Sequence, residues 1–98
     1  MAQKVSIDSS PRQTALLLGA VALVTGGNRG IGRAIALRLA QLGAAVAICG
    51  RNAQALAATE AELKQSGLLV HSQIADVSRS ADVAALVDRT QAALGPIS

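Results

Sequence analysis

The stretch from Thr25 to Gly32, Thr-Gly-Gly-Asn-Arg-Gly-Ile-Gly, constrains the fold more than any other part of the chain, because it lies between an apolar run and a helical pattern. Ala20 to Thr25 is rich in Val and Ala and apolar up to its last residue, which predicts a strand covered on both faces. From Ile31 the pattern changes. Ile31, Ile35, Leu39 and Leu42 fall at i, i+4, i+8 and i+11, which predicts a helix that buries this stripe, while Arg33, Arg38 and Gln41 take other faces. Gly43 supplies a left-handed stop.

The same alternation then repeats. Ala45 to Cys49 predicts a second strand, and Asn52 is placed to cap a second helix that carries Leu56 and Leu63 and ends at Gly67. Within that helix Glu60 and Lys64 have the i,i+4 spacing of an ion pair. Leu68 to Ile74 predicts a third strand, and its polar interruption by His71, Ser72 and Gln73 suits a position near a sheet edge. A third helix, capped by Ser78 or Ser80, would bury Val83, Leu86, Val87, Thr90 and Leu94 and close at Gly95-Pro96. The order βαβαβα predicts an α/β fold with a parallel, doubly wound sheet and right-handed crossovers. Ile97-Ser98 stands where a fourth strand is due, so the reading is of the first part of such a sheet, cut before strand 4. Residues 1–14, with Ser9, Ser10 and Pro11, read as a polar flexible tail and residues 15–98 as the folded unit.

Composition narrows the partners. The 98 residues allow one domain, and a chain of this size buries only about 60 to 65% of its unfolded surface, so the core must be thin. Tyr, Phe and Trp are absent and the only lysines are Lys4 and Lys64, so aliphatic packing has to supply the core. The net charge is +3, but Arg12, Arg29, Arg33, Arg38, Arg51, Arg79 and Arg89 are scattered singly and form no basic stripe, which argues against nucleic acid. Cys49 has no partner cysteine and reads as a small buried hydrophobe, in keeping with a reducing cytoplasm. The apolar run Ala15 to Val24 is too short to span a bilayer, and Asp8 and Pro11 occupy the region where a signal peptide would be apolar. The expectation is a cytoplasmic chain with no membrane partner.

The glycines carry the chemistry. Gly26, Gly30 and Gly32 meet the needs of a tight turn off the strand, close backbone approach to a pyrophosphate, and close helix-to-strand packing. A helix opening near Ile31 directs its unpaired N–H groups and positive dipole end at bound phosphates. The spacing Gly26-x-x-x-Gly30-x-Gly32 differs from the commonest dinucleotide fingerprint, and the ending Gly-Ile-Gly excludes a nucleoside-triphosphate P-loop, which requires Gly-Lys-Ser/Thr. A ligand-free glycine turn is the alternative for an isolated pattern, but strand, loop, helix and second strand agree here on a dinucleotide. Where an enzyme that binds NAD carries Asp or Glu after the second strand, this chain has Gly50-Arg51. Arg51 can clamp a 2′-phosphate through two parallel hydrogen bonds, Arg29 is placed to reach the same group, and Asn52 can add a polar contact, so NADP(H) is favoured over NAD(H). The alternative for both arginines is an ordinary solvated cation.

Other residues fit structural roles better than chemical ones. His71 has no Cys or second His nearby and reads as an edge residue, not a metal ligand; Thr25 can bond within its own turn; and Asp76 has no sequence neighbour that would make it a general base.

Thr25, Gly26, Gly30 and Gly32 match the Thr-Gly-x-x-x-Gly-x-Gly signature of the short-chain dehydrogenase/reductase family, which the chain resembles from Leu16 onward. Val-Ala-Leu-Val-Thr-Gly-Gly-x-x-Gly-Ile-Gly looks most like 3-oxoacyl-carrier-protein reductases and related ketoreductases. The resemblance implies a Rossmann fold with sheet order 3-2-1-4. It implies cofactor contacts from Thr25, Gly26, Asn28, Arg29, Gly30, Ile31, Gly32, Arg51 and Asn52, with Asp76-Val77 against the adenine ring. It also implies homo-oligomers among intact members. The family's catalytic Tyr, the Lys four residues after it, and the Asn-Asn-Ala-Gly turn after strand 4 have no counterpart here, and the terminal Ser98 does not match the catalytic Ser. No catalytic residue is therefore assigned. The expectation is a cofactor-binding segment that is inactive alone and, with one side of its first strand unpaired, needs a missing C-terminal half or self-association. A stand-alone nucleotide-binding module, or a non-functional remnant, is the alternative.

Overall fold

A computed structural model describes residues 16–26 and 30–98. The expected tail 1–14 and the loop residues Asn28 and Arg29 lie outside the described residues. Six elements alternate in chain order: β1 (Val21–Thr25), α1 (Gly30–Gln41), β2 (Ala45–Gly50), α2 (Ala53–Lys64), β3 (Val70–Ile74) and α3 (Ser80–Leu94). The three strands form one parallel sheet with β2 in the middle. Val21 pairs with Ala45 and Thr25 with Cys49, while Val46 pairs with Val70 and Gly50 with Ile74, so all three strands end at the same side of the sheet.

β2 is apolar throughout because both of its faces are covered. Val46 and Ile48 join Ala36, Ala40, Leu56 and Leu63 in one core cluster beneath α1 and α2, whereas Cys49 joins Ala75 and Leu86 in a second cluster beneath α3. The single cysteine is thus the buried small hydrophobe expected of it. Two helices on one face and one on the other make the sheet doubly wound. After α3 the chain returns to the far edge of β1, where Ser98 N–H donates to the Val21 carbonyl (3.0 Å) and Val21 N–H donates to Ser98 Oγ (3.0 Å).

The end of α1 follows the sequence closely. Gly43, at φ +105°, donates to the Ala40 carbonyl and Ala44 donates to that of Leu39, the paired bonds of a Schellman motif. The buried face of α1 does not follow it. Ile31 is 80% exposed and Ile35 47%, while Ala36 and Ala40 are buried, with Leu37 and Leu39 packing at their sides. At about 100° per residue, Ile35 points well away from Ala36, and the helix rests on its smallest side chains because these let it lie close to the sheet.

α2 begins as expected, with Asn52 Oδ1 accepting from Ala55 N–H at 2.9 Å. Replacing Asn52 by alanine is expected to lower stability by about 1 kcal/mol, read as a shift in the urea midpoint. Arg33 on α1 forms a two-pronged ion pair with Glu62 on α2, and this pairing raises the guanidinium pKa further. Lys64 Nζ lies 3.1 Å from Glu60 as the spacing anticipated.

Glu60 also accepts from Ser72 Oγ at 2.8 Å, chiefly through which its carboxyl is held below the ordinary value of 4.5. A carboxyl depressed by folding adds stability above its unfolded pKa and loses it as pH falls through the folded value. Ser72→Ala should therefore narrow the drop in urea midpoint between about pH 7 and about pH 3, and an equal drop in both proteins would contradict this.

β3 starts at Val70, later than Leu68, because Leu68 N–H turns back to Ser66 Oγ at 3.3 Å and Leu69 stays exposed. It pairs only with β2 among the described residues, the edge position its polar pattern suggested, and His71 Nε2 lies 3.0 Å from Gln73 Oε1. α3 corrects a second expectation. Neither Ser78 nor Ser80 caps it, for the cap position is Arg79, which makes no side-chain cap bond, and Ser80 is already helical. Ser78 is instead committed to Asp76, to which its hydroxyl donates at 2.6 Å. Of the expected stripe, Leu86 and Thr90 are buried, but Val83 is 37% exposed.

Candidate functional site

The parallel register brings the ends of β1, β2 and β3 to one side, where a cleft of about 890 Å³ opens. Each strand contributes the residues just beyond it. Gly26 and Gly30 come from the β1–α1 turn, Gly50, Arg51 and Asn52 follow β2, and Asp76, Val77 and Ser78 follow β3. This is the crevice at the carboxyl ends of the strands where open α/β sheets take their ligands.

Gly26 extends the ladder by donating to the Cys49 carbonyl (3.1 Å) and then turns at φ +67°; Gly30 opens α1 at φ +59°. Among the described residues, chain neighbours aside, no heavy atom lies within 4 Å of where a Cβ would stand on either. The demand for glycine at both positions comes from the backbone angle. The first N–H groups of α1, which lack intrahelical acceptors, begin at this point.

Among the predicted site residues, Gly26, Gly30, Arg51, Asn52, Asp76 and Val77 line the cleft together. Thr25, Ile31 and Gly32 do not line it, and Asn28 and Arg29 lie outside the described residues. Asn52 already spends its carbonyl oxygen on the α2 cap, leaving its amide hydrogens for any other contact. Sequence reasoning missed the walls of Cys49, Gly50, Ala55, Ala75 and Ser78, which only strand pairing brings near the glycine turn. For Ser78 a signal existed in the Asp-Val-Ser triplet, since a serine two residues after an aspartate readily closes a turn on it.

Asp76 is the most constrained polar group of the cleft. Its Oδ1 accepts from both the N–H (3.0 Å) and the hydroxyl (2.6 Å) of Ser78, and its own N–H donates to Asp82 Oδ2 at 2.9 Å. The Ser78 hydroxyl above all, then its N–H, holds the carboxyl below the usual range, with Arg51 and Arg79 adding positive potential. Asp76 is accordingly ionised at neutral pH, and Arg51 stands exposed as the cation at the β2 side. Among the described residues no three His, Cys, Asp or Glu side chains gather as for a metal ion, and no helix is long and apolar enough to cross a membrane.

A strand, a glycine turn and a helix amino end, facing a cleft at the carboxyl ends of a parallel sheet with helices on both faces, define a nucleotide-binding Rossmann unit. The sequence model of the short chain dehydrogenases matches residues 20–98, and the chain belongs to that family. It is 48% identical over 62 residues to a tropinone reductase homolog of Arabidopsis thaliana, covering 63% of this chain and 24% of the relative. It is 43% identical over 79 residues to the 3-oxoacyl-acyl-carrier-protein reductase of Pseudomonas aeruginosa, covering 81% and 32%. The crystal structure of a short chain dehydrogenase/reductase from Burkholderia phymatum in complex with NAD superposes with a TM-score of 0.79 at 36% identity, covering 84% of this chain and 29% of that one. The chain thus spans about a quarter to a third of the length of these relatives.

Proposed function

We propose that this chain is the N-terminal, cofactor-binding part of a cytoplasmic NADP(H)-dependent reductase acting on ketone and alcohol groups, with 3-oxoacyl-carrier-protein reduction as one candidate activity. The single observation that carries the coenzyme preference is Arg51, at the mouth of the cleft where an NAD-binding site places an acid. A guanidinium there neutralises a 2′-phosphate, whereas a carboxylate would repel one. The residues fit the coenzyme on three counts: no described residue beyond the chain neighbours within 4 Å of a Cβ at Gly26 or Gly30, the amino end of α1, and a cleft reaching from these to Asp76.

In this reading the diphosphate lies at Gly26 and Gly30, with Asn28, Ile31 and Gly32 beside it and Thr25 bracing the turn. Arg51, with Arg29 and Asn52, takes the 2′-phosphate, and Asp76 and Val77 meet the adenine. When bound, the nicotinamide supplies the hydride. This chain's own part is to hold the adenosine diphosphate half, since a sequence without tyrosine cannot furnish the proton-donating phenol of the family. By itself, then, the chain binds weakly and is inert, and the β1 edge beyond Val21 is where a complementing half, or a second copy in the family's manner, would add.

Titration calorimetry with NADP⁺ and NAD⁺ tests the proposal, with tighter binding of NADP⁺ expected. Equal or reversed affinity would remove the coenzyme assignment, and no heat with either would favour the reading as an inert remnant.

A further inference from the structure

We infer that Ser78 is a positioning residue that gives the cleft its preference for a 6-amino purine over a 6-oxo purine, by fixing the Asp76 carboxylate. The inference rests on the reading above, in which Asp76 meets the base of the coenzyme.

Ser78 saturates one carboxylate oxygen of Asp76 with two donors, its N–H at 3.0 Å and its hydroxyl at 2.6 Å. Asp82, from the first turn of α3, holds the main chain of the same residue through the Asp76 N–H at 2.9 Å. Backbone and side chain are therefore both tied, from two different directions. The second oxygen, Oδ2, has no partner among the described residues. An ionised carboxylate is purely an acceptor, so the group that satisfies Oδ2 must be a donor.

The neighbouring cleft wall is made by Ala55, Ala75 and Val77, apolar surfaces suited to the faces of a flat ring. A ring with an exocyclic amine donates to the free oxygen, whereas one with a carbonyl at that position sets oxygen against oxygen. Discrimination of this kind needs the acceptor held still, because a carboxylate free to rotate can turn away from the carbonyl and accept from water. The Ser78 hydroxyl is what holds it. Ser78 is exposed on a turn outside both core clusters, so Ser78→Ala removes no core packing and the variant is expected to keep the fold in which binding is compared.

The test compares binding of NADP⁺ with that of its hypoxanthine analogue to the 98-residue chain and to three variants, by calorimetry. The unmodified chain is expected to favour the adenine form about tenfold. In Ser78→Ala the preference should fall to about threefold or less, chiefly through tighter binding of the hypoxanthine form as the freed carboxylate turns away from its carbonyl, and in Ser78→Thr, which keeps the hydroxyl, it should survive. Full preference in Ser78→Ala, or equal weakening of both forms, overturns the inference. The underlying reading fails separately: if the unmodified chain shows no preference, or if Asp76→Asn retains it, Asp76 does not meet the base. Absence of binding to either form removes both.

Discussion

Valine in place of Gly30 is expected to reduce dinucleotide affinity at least about 100-fold, the larger part of it through geometry and not through loss of any contact. Gly30 stands at φ +59° at the first position of α1, a conformation that a β-branched residue adopts only at a cost of about 1–3 kcal/mol. A shift of the backbone to relieve the strain would rotate the first N–H groups of the helix away from the cleft. Without such a shift, the isopropyl group would stand in the cleft that Gly30 lines. Either course removes the seat of the diphosphate. Calorimetry gives the affinity and far-UV circular dichroism shows whether the variant keeps its helices. A folded Gly30→Val protein that binds as well as the parent would refute the assignment of the β1–α1 turn.

Arg51→Asp should move the ratio of NADP⁺ to NAD⁺ affinity by about 100-fold toward NAD⁺. Hydrogen bonds to charged groups contribute about 1.5–3 kcal/mol, so losing the arginine alone accounts for a tenfold to hundredfold loss on the phosphorylated coenzyme. The new carboxylate adds repulsion of the 2′-phosphate and can accept from the ribose hydroxyls of NAD⁺. The same change withdraws a cation that helps keep Asp76 ionised, so the Asp76 carboxyl should titrate at higher pH in the variant. An unaltered ratio would show that Arg51 is merely a solvated surface charge.

The parts of this molecule that announce themselves in the sequence are those fixed by backbone chemistry. Gly43 and Asn52 end one helix and begin the next as their residue types require, and the unbroken apolar run of β2 marks the strand with two covered faces. That the residues after each strand line one cleft was legible for the same reason, because turns off parallel strands share one side of the sheet. What escaped the reading depends on shape and on distant neighbours. Size-weighted periodicity pointed to Ile31 and Ile35 on α1, yet helix and sheet approach most closely over alanine, so the bulky pair turned outward. Ser78 looked like a helix cap because cap residues and turn residues are the same few types. Only the nearness of the Asp76 carboxylate decides which role it takes.

The alanine contact of α1 reaches beyond packing. Ala36 and Ala40 sit beneath the helix like a shim, and the thickness of two methyl groups sets the height of the whole rod above β2. Since the rod is rigid, that height is transmitted to its amino end, and with it the separation between the first peptide dipoles and the guanidinium across the crevice. Hydrocarbon volume in the core thus calibrates an electrostatic span at the surface, and a bulkier side chain at Ala36 would detune it without touching a polar atom.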